Sequence, residues 1–100
     1  MKYIVIAVAM LLGACSQSDG QVKPVQYPEA GSQALNNFQN QCSQCHQPPR
    51  PSAHTAAEWP SVIARMQQHR IERRISPMMA SEMLAVRDYL IRNAAPEAAQ

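Results

Sequence analysis

The sequence predicts an all-α domain, three short helices wrapped around one bound apolar group. Three observations carry that prediction. Apolar residues recur at helical spacing in three stretches, residues 31–42, 56–69 and 76–93. No alternating run of β-branched residues reads as a strand. The segment left to fold, residues 31–95, holds one Trp and one Phe, and a chain of that length rarely builds an adequate core unaided. The composition therefore asks for a cofactor before any motif is considered.

The amino terminus is read first. Met1-Lys2 make a short positive start, and Tyr3 to Leu12 form an almost unbroken apolar run. At about ten residues this run is too short to span a bilayer, so residues 1–14 read as an export signal that is removed. The segment closes on Leu12-Gly13-Ala14-Cys15, which resembles the lipobox of bacterial lipoproteins. That resemblance implies a lipid on Cys15 and a protein held to a membrane on its periplasmic side. Several acyl chains on one cysteine anchor stably, where a single chain binds only marginally. Ser16, standing where Asp would direct retention, favours the outer membrane over the inner by the same analogy.

Residues 15–30 are polar, contain Pro24 and Pro28 and show no helical or strand period. They read as a lipidated terminus and flexible tether, about 20 Å in reach. The domain proper is expected over 31–95, with 96–100 as a short tail. A formal net charge of +2 gives no case for a nucleic-acid partner.

The first helix is expected from Gly31 to Cys42, with Ala34, Leu35 and Phe38 on one side and Gln and Asn on the other. It runs into Cys42-Ser43-Gln44-Cys45-His46. This C-x-x-C-H is the attachment signature of haem c. In a first helical turn Cys42 and Cys45 lie on one side, where each sulfur can add to a haem vinyl group. His46 then sits beneath the ring to give a nitrogen to the iron. A dithiol redox site would need a βαβ context that is missing here. A zinc site would need four closed ligands, and His54 or His69 can complete that count, so zinc stays open as an alternative. The three cysteines divide into one for lipid and two for haem.

Residues 47–55 carry Pro48, Pro49 and Pro51 and cannot form a regular helix. A carbonyl of this loop is placed to accept from the second ring nitrogen of His46. His54, within it, reads as a solvated histidine. The second helix is expected from Ala56 to His69, with Pro60 tolerated in its first turn and Trp59, Val62, Ile63 and Met66 forming its apolar stripe. The third is expected to start at Ser76-Pro77, cap and N1 proline, and to run to Asn93. Its inner face is Met79, Met83, Val86 and Leu90, with Tyr89 beside it, and Pro96 lies beyond its end.

Over residues 31–94 the chain resembles the class I monohaem cytochromes c. In that family a first helix enters C-x-x-C-H and crosses a last helix bearing an aromatic-leucine pair. Phe38 before Cys42, Ala34 as the small residue at the crossing and Tyr89-Leu90 fit that pattern. The resemblance implies one covalent haem c on Cys42 and Cys45, His46 as the proximal iron ligand and a methionine as the distal one. Met66, ahead of the last helix, is the first choice, with Met78, Met79 and His69 as alternatives. Trp59 is read either as a donor to a haem propionate or as packing against the ring. Arg65, Arg70, Arg73 and Arg74 form a basic cluster, read as a solvated face or as partners of a propionate and of an acidic redox protein.

The function expected is that of an electron carrier, not an enzyme. A tethered monohaem cytochrome would pass single electrons between periplasmic or membrane redox proteins, with the iron cycling between ferric and ferrous states. No acid–base constellation accompanies the haem motif. The alternatives are a haem sensor or catalyst with a displaceable sixth ligand, and a haem-free, zinc-stabilised interaction lipoprotein.

Overall fold

The computed structural model describes residues 23–98. Cys15, the export signal and residues 16–22 of the tether lie outside the described residues. Three helices follow in order: α1 (Gln33–Cys42), α2 (Trp59–Glu72) and α3 (Ala80–Arg92), with a 3₁₀ turn (Pro51–Ala53) between the first two. Among the described residues the only β pairing is an isolated parallel bridge of Thr55 with Ala95. The all-α expectation holds.

Each helix begins where local chemistry starts it. The Ser32 hydroxyl accepts from the Leu35 amide at 3.0 Å and caps α1. At the other end the Ser43 amide and hydroxyl both turn back to the Gln39 carbonyl, which closes the helix at Cys42. The attachment motif therefore starts at the last residue of α1 and leaves it. Cys45 and His46 lie in a bend, not in the continued helix that the sequence reading assumed.

Helix α2 starts three residues later than expected. Ala56–Glu58 form a turn, in which the Glu58 carboxylate accepts from the Thr55 amide at 2.9 Å. The helix also runs one turn past His69. It ends in a paired closure, Arg74 amide to Ile71 carbonyl and Ile75 amide to Arg70 carbonyl, with Arg74 in the left-handed region at φ 59°.

Ser76-Pro77 does not open α3. The helix begins at Ala80, where the Glu82 carboxylate accepts from the Met79 amide at 2.8 Å. Residues 75–79 stay outside any helix, where the side chain of Gln67 holds both the amide and the carbonyl of Met78.

The core lies between α3 and the other two helices. Phe38 and Tyr89 are fully buried and stack with ring centroids 5.0 Å apart. Leu35, Val62, Ile63, Val86 and Leu90 complete it, joined by Trp59 and Met78. The last residues of the expected tether belong to this domain. Tyr27 meets Phe38 edge-on and donates to the Pro48 carbonyl, Tyr89 donates to the Pro28 carbonyl at 3.1 Å, and Glu29 pairs with Arg92. The segment 27–29 is thus a strap across α1 and α3. Sequence periodicity could not show it, because the side chains of Tyr27 and Glu29 and the Pro28 carbonyl hold it, with no regular element. The tail is tied in the same way, with the Ala57 amide donating to Glu97.

Candidate haem site

Below the end of α1 the chain lines a partly open cavity of about 340 Å³, within the ~300–1,000 Å³ range of small-molecule sites. Cys42, Cys45 and His46 form one border. The buried faces of Trp59, Val62 and Ile63 line it from α2, Val86 and Leu90 from α3, and Met78 from the extended segment. Its walls are predominantly apolar there.

Both motif cysteines are free thiols. Cys42, at the end of α1, is partly buried, and that burial pushes its thiol up to about 11 against the opposing pull of Arg70. Cys45 is exposed, as is His46. The Nδ1 atom of His46 lies 2.9 Å from the Gln47 carbonyl oxygen. A carbonyl can only accept, so this contact places the proton on Nδ1 and leaves Nε2 with its lone pair free for a metal. Bonds of this kind orient metal-binding imidazoles.

Trp59 is 1 % exposed, and its indole N–H donates to the Pro51 carbonyl at 2.9 Å. The N–H that was offered to a propionate is committed within the protein, while the ring faces the cavity. His54, read as solvated, is half-buried, meets Trp59 edge-on at 4.8 Å and borders the same cavity. No sequence signal marked its packing against Trp59, since the 3₁₀ turn that folds the loop back is not periodic.

The distal candidates separate. Met66 and His69 lie one turn apart on α2, and both border the cavity. Met78 borders it as well and is buried. Met79 is 64 % exposed at the start of α3 and is not among the lining residues. His69 Nδ1 stands 3.3 Å from a carboxylate oxygen of Glu72. Arg70, by contrast, is a strut. Its Nε donates to Ser76 and its Nη1 to Gln41, joining the end of α1 to α2 and to the extended segment.

Among the described residues no three of His, Cys, Asp and Glu converge to hold a bare metal ion. The side chains present fit a haem instead. Two thiols and one oriented imidazole share the border of an apolar cavity, and thioether bonds with a nitrogen for iron use all three. That chemistry belongs to c-type cytochromes. Comparison with known families agrees, since residues 38–100 match the family model described as dihaem cytochrome c. The match covers more than half of the chain, and the chain belongs to that family. No curated protein and no solved structure matches it. Its chemistry is haem-based electron transfer, and the fold is a small cytochrome c-like helical domain. The family description names two haems, whereas residues 1–100 contain a single C-x-x-C-H.

Proposed function

We propose that this chain is a monohaem electron carrier, tethered to the outer membrane through lipid on Cys15 and exchanging single electrons with periplasmic or membrane redox proteins. The observation that carries it is the shared border of Cys42, Cys45 and the oriented His46 on one apolar cavity. With only Cys15 left over, the chain offers thioether bonds for one haem. When bound, haem supplies a one-electron couple at its iron. The protein's own part is to attach it, orient His46, exclude water with Trp59, Val62 and Leu90, and set the potential.

For the distal ligand, Met66 is the reading that the sequence favours, and it borders the cavity. A specific observation favours His69 as a second reading. Its Nδ1 faces the Glu72 carboxylate at 3.3 Å as that of His46 faces a carbonyl, which leaves Nε2 without that partner on a residue that borders the same cavity.

The test is the mass and the optical spectrum of the matured protein, with Met66→Ala and His69→Ala beside it. One haem mass per chain is expected, with a low-spin spectrum. A sulfur-to-iron charge-transfer band lost in Met66→Ala assigns the methionine; a band absent throughout, with high-spin conversion in His69→Ala, assigns the histidine. A wild type that is high-spin and binds carbon monoxide readily would overturn the carrier reading in favour of a sensor or catalyst.

A further inference from the structure

We propose that Arg65 of α2 and Arg73, which caps the C-terminus of that helix, hold the two haem propionates, so that the ring lies with its carboxylate edge toward the C-terminal half of α2. The inference rests on the haem reading above and adds the orientation of the group. The cavity wall that α2 contributes changes along its length. Trp59, Val62 and Ile63 are buried and apolar; the remainder of the helix and its C-cap bring Arg65, Arg70 and Arg73 to the same cavity. Haem has matching polarity, an apolar macrocycle with two carboxylates on one edge.

The three arginines are not equivalent. Arg70 already donates to two backbone carbonyls. Arg65 and Arg73 are exposed, and among the described residues their guanidinium groups have no hydrogen-bond or ion-pair partner. Eight residues apart, they are separated by about 12 Å of helical rise, with flexible side chains that can converge between them. The carboxylate on this segment, Glu72, faces His69 and Gln68. A propionate here would also meet the negative end of the α2 dipole, which makes a neutralising cation necessary. Guanidinium groups supply it with bidentate geometry.

The test uses the haem-loaded full chain, checked first for its haem spectrum, so that loss of haem and loss of this orientation are read separately. Arg65→Gln, Arg73→Gln and the double variant are compared with Arg87→Gln, which removes the same charge from an exposed site on α3 outside the cavity. Midpoint potentials are measured at high ionic strength, and propionate bending modes by resonance Raman spectroscopy. The double variant is expected to show a lower midpoint than Arg87→Gln, because a lost nearby cation favours ferric iron, together with shifted propionate modes. Lysine variants keep the charge and lose the fork, so they are expected to shift the modes with the midpoint nearly restored. Midpoints equal to that of Arg87→Gln with unchanged modes would overturn the proposal. Slower reduction by an acidic partner without either change would also overturn it and place these arginines in docking.

Discussion

Gln67 holds Met78 by both sides of one residue. The Met78 amide donates to Oε1 at 2.9 Å, and Nε2 donates to the Met78 carbonyl at 3.2 Å. The pair acts as a one-residue sheet contact between α2 and the extended segment. It delays α3 until Ala80 and turns the Met78 side chain into the cavity wall. Replacing Gln67 with Ala leaves two partly buried backbone groups without partners, a loss of about 1–3 kcal/mol. Denaturant unfolding of the haem-loaded protein should show a lower midpoint with an unchanged slope. A stability equal to wild type would mean that Pro77 and the α3 start fix the segment without Gln67.

Trp59 is anchored by its edge as well as by its area. Trp59→Phe keeps most of the apolar contact and leaves the buried Pro51 carbonyl unpaired, so about 1–3 kcal/mol should be lost. Trp59→Ala adds a cavity, for a total of about 3–5 kcal/mol. The contrast between the two in thermal unfolding separates hydrogen bond from packing. A Trp59→Phe variant as stable as wild type would show that the bond to Pro51 contributes nothing.

The stacked pair of Phe38 and Tyr89 joins α1 to α3, and the Tyr89 hydroxyl reaches the strap at Pro28. Phe38→Ala should be severe, about 3–5 kcal/mol. Tyr89→Phe removes one partly exposed bond and should cost about 0.5–1.5 kcal/mol. Its effect should be concentrated in hydrogen exchange of residues 27–32. Uniform loss of protection across all three helices would place the hydroxyl in the global core instead.

These residues also show what was legible in the sequence. Phe38, Tyr89 and the α2 stripe were readable because helical periodicity reports which face is buried. The attachment motif was readable because its spacing is chemical. The boundaries were less so. Ser76-Pro77 has every local mark of a helix start, yet the Gln67 side chain, distant in sequence, overrides it. The end of α1 at Cys42 was readable, whereas the bend that carries Cys45 and His46 away from the helix was not. The strap of residues 27–29 and the folding of His54 against Trp59 depend on single long-range contacts. Met79, a candidate ligand by spacing, is turned outward by the same late start of α3.

The strap makes a prediction about acid. Glu29, itself in the left-handed region at φ 59°, receives both Arg92 guanidinium donors, at 2.9 and 3.0 Å, and the Asn93 amide. Those bonds hold its carboxyl below the ordinary 4.5. Glu58 is lowered too, chiefly by the Thr55 amide. A carboxyl lowered in the folded state stabilises the fold fully above its unfolded value. That contribution is lost as pH falls from about 4.5 through the folded value, because the unfolded chain takes up its proton first. Stability measured from pH 7 to pH 3 should therefore decline below pH 4.5, and Glu29→Gln should flatten the decline. The double variant Glu29→Gln, Glu58→Gln should flatten it further. Haem propionates titrate as well, so the comparison is the difference between variant and wild type at each pH. A Glu29→Gln curve parallel to wild type throughout would show that the strap contributes no proton linkage and that the Arg92 pair is open in solution.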